Sequence, residues 1–193
     1  AETLFKGLAI IDHTNWYYRA ALGAVFQRQN EFEVAVDEYS ISLSLKPDEV
    51  TALVNRGECY VRLGDLDAAM QDFAAIEQPF GSLPPESEEL LTRYLRVKWA
   101  GLNFCGAAYY DASIAEGAHG LVLLITSVLW MARWLAAGSG RTHLVADDVA
   151  QALAMADHHH GYNPALGKLP ARMRTKLIAF AGDTPRLLAW YAR

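Results

Sequence analysis

The sequence predicts an all-α protein in two parts, a set of paired helices built on a recurring template followed by a helical bundle. Three observations lead there. No stretch alternates apolar and polar residues in the manner of a half-buried strand, whereas helical spacing of apolar residues runs through most of the chain. Sliding the chain against itself gives one clear register, at an offset of 34 residues. A cluster of Pro79, Gly81, Pro84 and Pro85 then interrupts the pattern and separates residues 1–78 from residues 87–193, with 79–86 as a linker.

The repeat is carried by matched pairs. Gly23 falls on Gly57, Phe26 on Tyr60, Asn30 on Gly64, Phe32 on Leu66, Ala35 on Ala69 and Tyr39 on Phe73. A small residue at 23 and 57 lets the second helix of a hairpin approach the first where a Cβ would collide. Asn30 and Gly64 sit where the first helix ends, and both residue types tolerate the left-handed conformation such a cap requires. Pro47 closes the first hairpin because it cannot continue a helix. The register also runs backwards, with Ala1 on Ala35 and Phe5 on Tyr39, so residues 1 to about 11 read as the second helix of a preceding unit. Such a helix lacks its partner, exposes an apolar stripe and offers a route to oligomers.

These residues resemble the tetratricopeptide family, with L-G-x-x-F followed by Ala35, Tyr39 and Pro47 in one unit and G-x-x-Y followed by Ala69 and Phe73 in the next. The resemblance covers about two and a half repeats. Arg19 and Arg56 stand where the family usually has large apolar residues, and Ser42 replaces a common Ala. Within the family, the run AETLFKGLAIIDHTNWYYRAALGAVFQRQ is similar to the chaperones of type III secretion, which hold translocator proteins in the bacterial cytosol.

The resemblance implies that the first helix of each hairpin lines a concave surface. The positions it marks are Tyr17, Ala20, Ala24, Gln27 and Arg28 in the first unit, and Thr51, Val54, Glu58 and Arg62 in the second. A peptide would lie there anchored by Tyr17 and Val54 and oriented by Arg28, Glu58 and Arg62. The alternative is a solvated face.

In the second part, the acidic run Glu86, Glu88 and Glu89 after Pro85 marks a helix start. A second helix is expected over about 106–137, with a break near Glu116 and Gly117. Asp147 and Asp148 open a third that runs to about His159, another covers about 168–181, and Asp183-Thr184-Pro185 opens the last. The stretch Gly120–Ala137 approaches the length that spans a bilayer, but Arg133 interrupts it, and a core helix is the expectation rather than a membrane span. Residues 87–193 faintly resemble the helical C-terminal part of flagellin lysine-N-methylase-like proteins, through R-Y-L-R-V-K, the long apolar helix and the D-D-V helix ending in histidines. The cysteine cluster of those proteins is absent, so the likeness implies an accessory domain of a protein-modifying enzyme without its catalytic region.

The run Asp157-His158-His159-His160 tempts a metal reading, with His158 and His160 as candidate ligands. Adjacent helical residues point about 100° apart and do not readily share one tetrahedral ion, and imidazoles near the last carbonyls also cap a helix. No phosphate-cradling glycine loop, nucleophile elbow or His-Glu-x-x-His appears, so neither catalysis nor a cofactor is expected. A net charge of −5 argues against nucleic acid as a partner. Cys59 and Cys105, each in an apolar pattern, are expected as buried free thiols, which together with the lack of a charged-then-apolar leader gives a cytoplasmic expectation. The sequence thus reads as a protein-binding scaffold or chaperone-like adaptor, with a protein or peptide as its ligand.

Overall fold

The computed structural model describes residues 1–159, 167–180 and 182–193, and every described element is helical. The chain divides into two compact units, Ala1–Gln78 and Pro79–Arg193.

The first unit holds α1 (Glu2–Ile11), α2 (Trp16–Gln29), α3 (Phe32–Leu45), α4 (Val50–Leu63) and α5 (Leu66–Glu77), each packed on the next in sequence up to α5. The repeat shows directly in the hairpin α2–α3 and its copy α4–α5. Both first helices end on a left-handed residue, Asn30 at φ 63° and Gly64 at φ 85°. In both hairpins the glycine of the first helix faces an aromatic ring of the second. A Cβ on Gly23 would lie 2.8 Å from the Tyr39 ring, and one on Gly57 would lie 2.6 Å from that of Phe73. The ring takes the volume that a side chain would need, and Tyr39 is fully buried as a result.

The departures from the family pattern have partners. Arg56 Nε and Nη2 donate to the two carboxylate oxygens of Asp72 at 2.8 and 2.7 Å, and Nη1 donates to Ser40 Oγ at 3.0 Å. One guanidinium therefore ties α4 to both α3 and α5 in planar, two-pronged geometry. Arg19 donates to Glu38 at 3.1 Å. Ser42, fully buried, donates to the Trp16 carbonyl at 2.9 Å, so its hydroxyl satisfies a backbone acceptor at the start of α2.

The second unit holds α6 (Pro85–Ala100), α7 (Ile114–Gly138), α8 (Ala146–His159), α9 (Leu169–Phe180) and α10 (Asp183–Tyr191). Its centre is α7, against which α8, α9 and α10 pack. Val128, Leu129, Ala132 and Ala136 of α7 meet Val149, Ala152 and Leu153 of α8 in one core. By length and composition α7 is also apolar enough to cross a membrane. Arg133, in its C-terminal third, is 0 % exposed and donates to the carbonyls of Trp190 and Arg193 at 3.0 and 2.7 Å, near the rings of Phe80 and Tyr191. Asp148 opens α8 as the sequence suggested, accepting from Val145 N at 2.9 Å and from both terminal nitrogens of Arg141.

Within the segment 79–86, Phe80 is buried in the second unit's core and its N–H donates to the Arg193 carbonyl at 3.2 Å, and α6 begins at Pro85, where the sequence marks a helix start. Two expectations about the next helix are corrected. The helix expected from residue 106 begins only at Ile114. Leu102, Gly106, Tyr110 and Asp111 all take positive φ, and Gly106 pairs with Ala112 through a single bridge. A chain that turns left-handed this often cannot form a right-handed helix. Glu116 and Gly117, expected at a break, lie in the first turn. Ser113 and Glu116 form a reciprocal capping box, the Ser113 hydroxyl accepting from Glu116 N while Ser113 N donates to the Glu116 carboxylate. Gly117 is required because the Phe104 carbonyl oxygen sits 1.8 Å from where its Cβ would be.

Candidate peptide-binding hollow

The inner wall of the first unit is made by α2 and α4, with the start of α1 at one edge. Between them lies a hollow of about 460 Å³. Its size falls in the range that takes a few side chains of a ligand. The floor is small, with Ala20, Ala21 and Ala24 of α2 facing Ala52 of α4. The rim is aromatic, from Phe5, Trp16 and Tyr17, and Arg28 stands at the far end of α2. Successive alanines at helical spacing leave room because their side chains stop at Cβ, and the rings beside them offer large rigid contact area. Arg28 is exposed and has no ion-pair partner among the described residues.

Five of the nine positions marked in the sequence line this hollow: Tyr17, Ala20, Ala24, Arg28 and Thr51. The other four do other work. Val54 is only 7 % exposed and is a packing residue of α4 rather than a ligand anchor. Gln27 and Glu58 are bound to each other, Gln27 Nε2 donating to Glu58 Oε2 at 2.9 Å, while the Tyr39 hydroxyl donates to Gln27 Oε1 at 2.8 Å. They form a polar brace from α3 through α2 to α4. Arg62 lies over the Phe32 ring at 5.9 Å, a contact with α3 instead of the inner wall. Sequence reasoning missed Trp16, Ala21, Val25, Ala52 and Asn55 as lining residues. A signal was present: Ala20, Ala21, Ala24 and Ala52 are the densest group of small residues on these two helices.

Burial pushes the Tyr39 hydroxyl well above its ordinary pKa, and burial raises the Cys59 thiol to about 11, so both stay protonated at neutral pH. Neither is a nucleophile in that form. Cys59 is buried and free as expected; Cys105 is free but half-buried, because it sits in the irregular segment before α7. Leu4, Ile10 and Ile11 of α1 are exposed.

In the second unit, Glu116 is the most strongly shifted carboxyl. Lys176 at 2.8 Å, the Ser113 backbone and Arg172 at 3.1 Å together lower its pKa to about 2. A hollow of about 280 Å³ beside it is lined by Ala115, His119, Thr175 and Ala179. His119 Nδ1 is turned to the Ala115 carbonyl at 2.7 Å. Glu116 is committed to its cations and to the capping box, and so serves α7 and α9. His158 is exposed on α8, while His160 lies outside the described residues. Among the described residues no three His, Cys, Asp or Glu side chains converge on one point.

Comparison with known proteins gives partial likenesses. The chain is 42% identical over 53 residues to outer dynein arm-docking complex subunit 4 of Danio rerio, covering 28% of this chain and 11% of that protein. It is 35% identical over 75 residues to protein PHOX3 of Arabidopsis thaliana, covering 38% of this chain and 9% of that one. It is 30% identical over 78 residues to chaperone protein SicA of Salmonella typhimurium, covering 40% of this chain and 47% of the chaperone. The chain thus spans about a tenth of the length of the first two and under half of the third. No protein-family model matches the chain. No solved structure matches it. These likenesses, with the all-helical fold, are consistent with a tetratricopeptide-like helical repeat followed by a bundle.

Proposed function

We propose that the first unit is a protein-interaction module that holds a segment of another protein in the hollow between α2 and α4, in the manner of a chaperone or adaptor, and that it does no chemistry. The observation that carries this reading is the combination of an alanine floor, an aromatic rim and a cation without an ion-pair partner among the described residues in one hollow of about 460 Å³. Apolar side chains of a ligand fill the floor, the rings cover them, and Arg28 fixes direction by pairing with an acidic group. The partial likeness to a protein named a chaperone supports the same role. A reducing, cytoplasmic setting belongs to the proposal, supported by the two free thiols.

The test is a peptide-library selection on the full chain. Enriched peptides are expected to bind at micromolar Kd, to lose about tenfold or more on Ala24→Trp, which fills the floor, and a similar amount on Tyr17→Ala. Arg62→Glu, outside the hollow, should leave binding unchanged. Peptides that bind Ala24→Trp as well as they bind the parent would sink the proposal.

A further inference from the structure

Two helices, one in each unit, carry exposed apolar stripes flanked by charge of opposite sign. On α9, Leu169, Met173 and Leu177 follow each other at intervals of four and are 48 to 71 % exposed. From Gly167 to Phe180 there are four Lys and Arg residues and no acid. Arg172 and Lys176 are held by Glu116, but Lys168 and Arg174 are exposed and have no ion-pair partner among the described residues. On α3, Val34, Ile41 and Leu45 lie within about 40° of one another around the helix and are 39 to 41 % exposed. From Gln29 to Leu45 there are four Asp and Glu residues and no base. Glu38 is bound to Arg19, while Glu33 and Asp37, on one flank of the stripe, are exposed and unpaired among the described residues.

The same opposition holds for the units as wholes. Residues 1–78 carry 13 acidic and 6 basic side chains, while residues 79–193 carry 9 acidic and 11 basic.

We propose that α3 of one copy of this chain packs on α9 of a second copy, so that the protein associates with itself through these two stripes. Each stripe is a ridge that a second helix accepts in its groove, and burial of the six apolar side chains supplies the attraction. The flanking charges select the pairing, because α3 against α3 or α9 against α9 would set like charges side by side. An anionic membrane is the other natural occupant of a basic amphipathic helix. The net charge of −5, which comes entirely from the first unit, opposes that approach, whereas it creates the acidic counterpart on a second copy. None of the residues lining the hollow of the first unit is on α3, so this association is independent of ligand binding there.

The test is sedimentation equilibrium of the full chain up to about 200 μM, a range that detects micromolar association. The mass should rise with concentration, and less so when salt is raised from about 50 to 500 mM. Two charge-reversed variants are then made at exposed positions, one with Lys168→Glu and Arg174→Glu, the other with Glu33→Lys and Asp37→Lys. Circular dichroism should show both folded, and each alone should associate about tenfold or more weakly than the parent. Mixed in equal amounts, they should regain a mixed assembly, because each then presents the sign that the other needs. Ile11→Glu, on the exposed face of α1, should leave association intact. A monomer at every concentration overturns the proposal, as does a mixture that fails to restore assembly. Loss of association in Ile11→Glu alone overturns it in favour of the α1 face. Co-sedimentation of a monomeric parent with anionic vesicles overturns it in favour of a lipid surface.

Discussion

The two units solve the same packing problem, bringing chain segments closer than a Cβ permits, in different ways. In the first unit the glycines at 23 and 57 receive aromatic side chains of the following helix, and the arrangement recurs at a fixed interval. In the second, Gly117 receives a backbone carbonyl, that of Phe104, from an irregular segment that occurs once. A side chain has rotamers with which to yield, whereas a peptide group held by its neighbours has almost none. The repeated joint is therefore adjustable and the single one is rigid.

This contrast is broken or sharpened by substitution. The largest effect is expected from Gly117→Ala. A Cβ 1.8 Å from the Phe104 oxygen forces α7 away from the segment before it, and urea denaturation should show about 3 kcal/mol or more lost from the second unit. Trimming the Phe104 side chain to Leu should not restore it, because the obstacle is the main chain. Gly57→Ala comes next. The clash with Phe73 is offset by roughly 1 kcal/mol of helix propensity, leaving a net loss of about 1 to 2 kcal/mol. Phe73→Leu in that background should cost less than it does alone, a coupling of about 1 kcal/mol in a double-mutant cycle. Strict additivity there would mean that the ring is not the yielding part.

The smallest effect concerns acid, and it falls on the second unit. Glu116 has its pKa lowered from an ordinary 4.5 to about 2 by Lys176, the Ser113 backbone and Arg172. A depressed carboxyl contributes stability that is fully present above its unfolded pKa and is lost as pH falls through the folded one. The window is thus from about pH 5 down to about pH 2, and with solvent screening of a partly exposed group the loss should be about 1 kcal/mol. Glu116→Gln keeps the capping box and discards the ion pairs, so its stability should be flatter across that window. An unchanged slope in thermal melts from pH 5 to 2.5 would assign the acid response to other groups.

The same contrast explains what could be read from the sequence. Hairpin registers, left-handed caps at Asn30 and Gly64 and the starts of α6, α8 and α10 were legible, because each is set by a local residue type or a recurring interval. The segment Gly101–Ser113 was not, since left-handed Leu102 and Tyr110 carry no residue signature and are imposed by tertiary packing. At the hollow, the resemblance marked nine positions on α2 and α4, and five of them line it. It could not show that Val54 is covered, or that Gln27 and Glu58 satisfy each other across two helices. Those facts depend on partners far away in sequence. Arg56 was read as a misfit for the same reason, and its mate Asp72 lies 16 residues on.

The guanidinium of Arg133 gathers the Phe80 ring and the Trp190 and Arg193 carbonyls, and Phe80 N reaches the Arg193 carbonyl directly. One buried cation thereby clasps two stretches that lie more than a hundred residues apart, the segment before α6 and the turn after α10. Removing that charge would leave two backbone acceptors without a donor in the interior, so the clasp holds only as long as all its members stay in place.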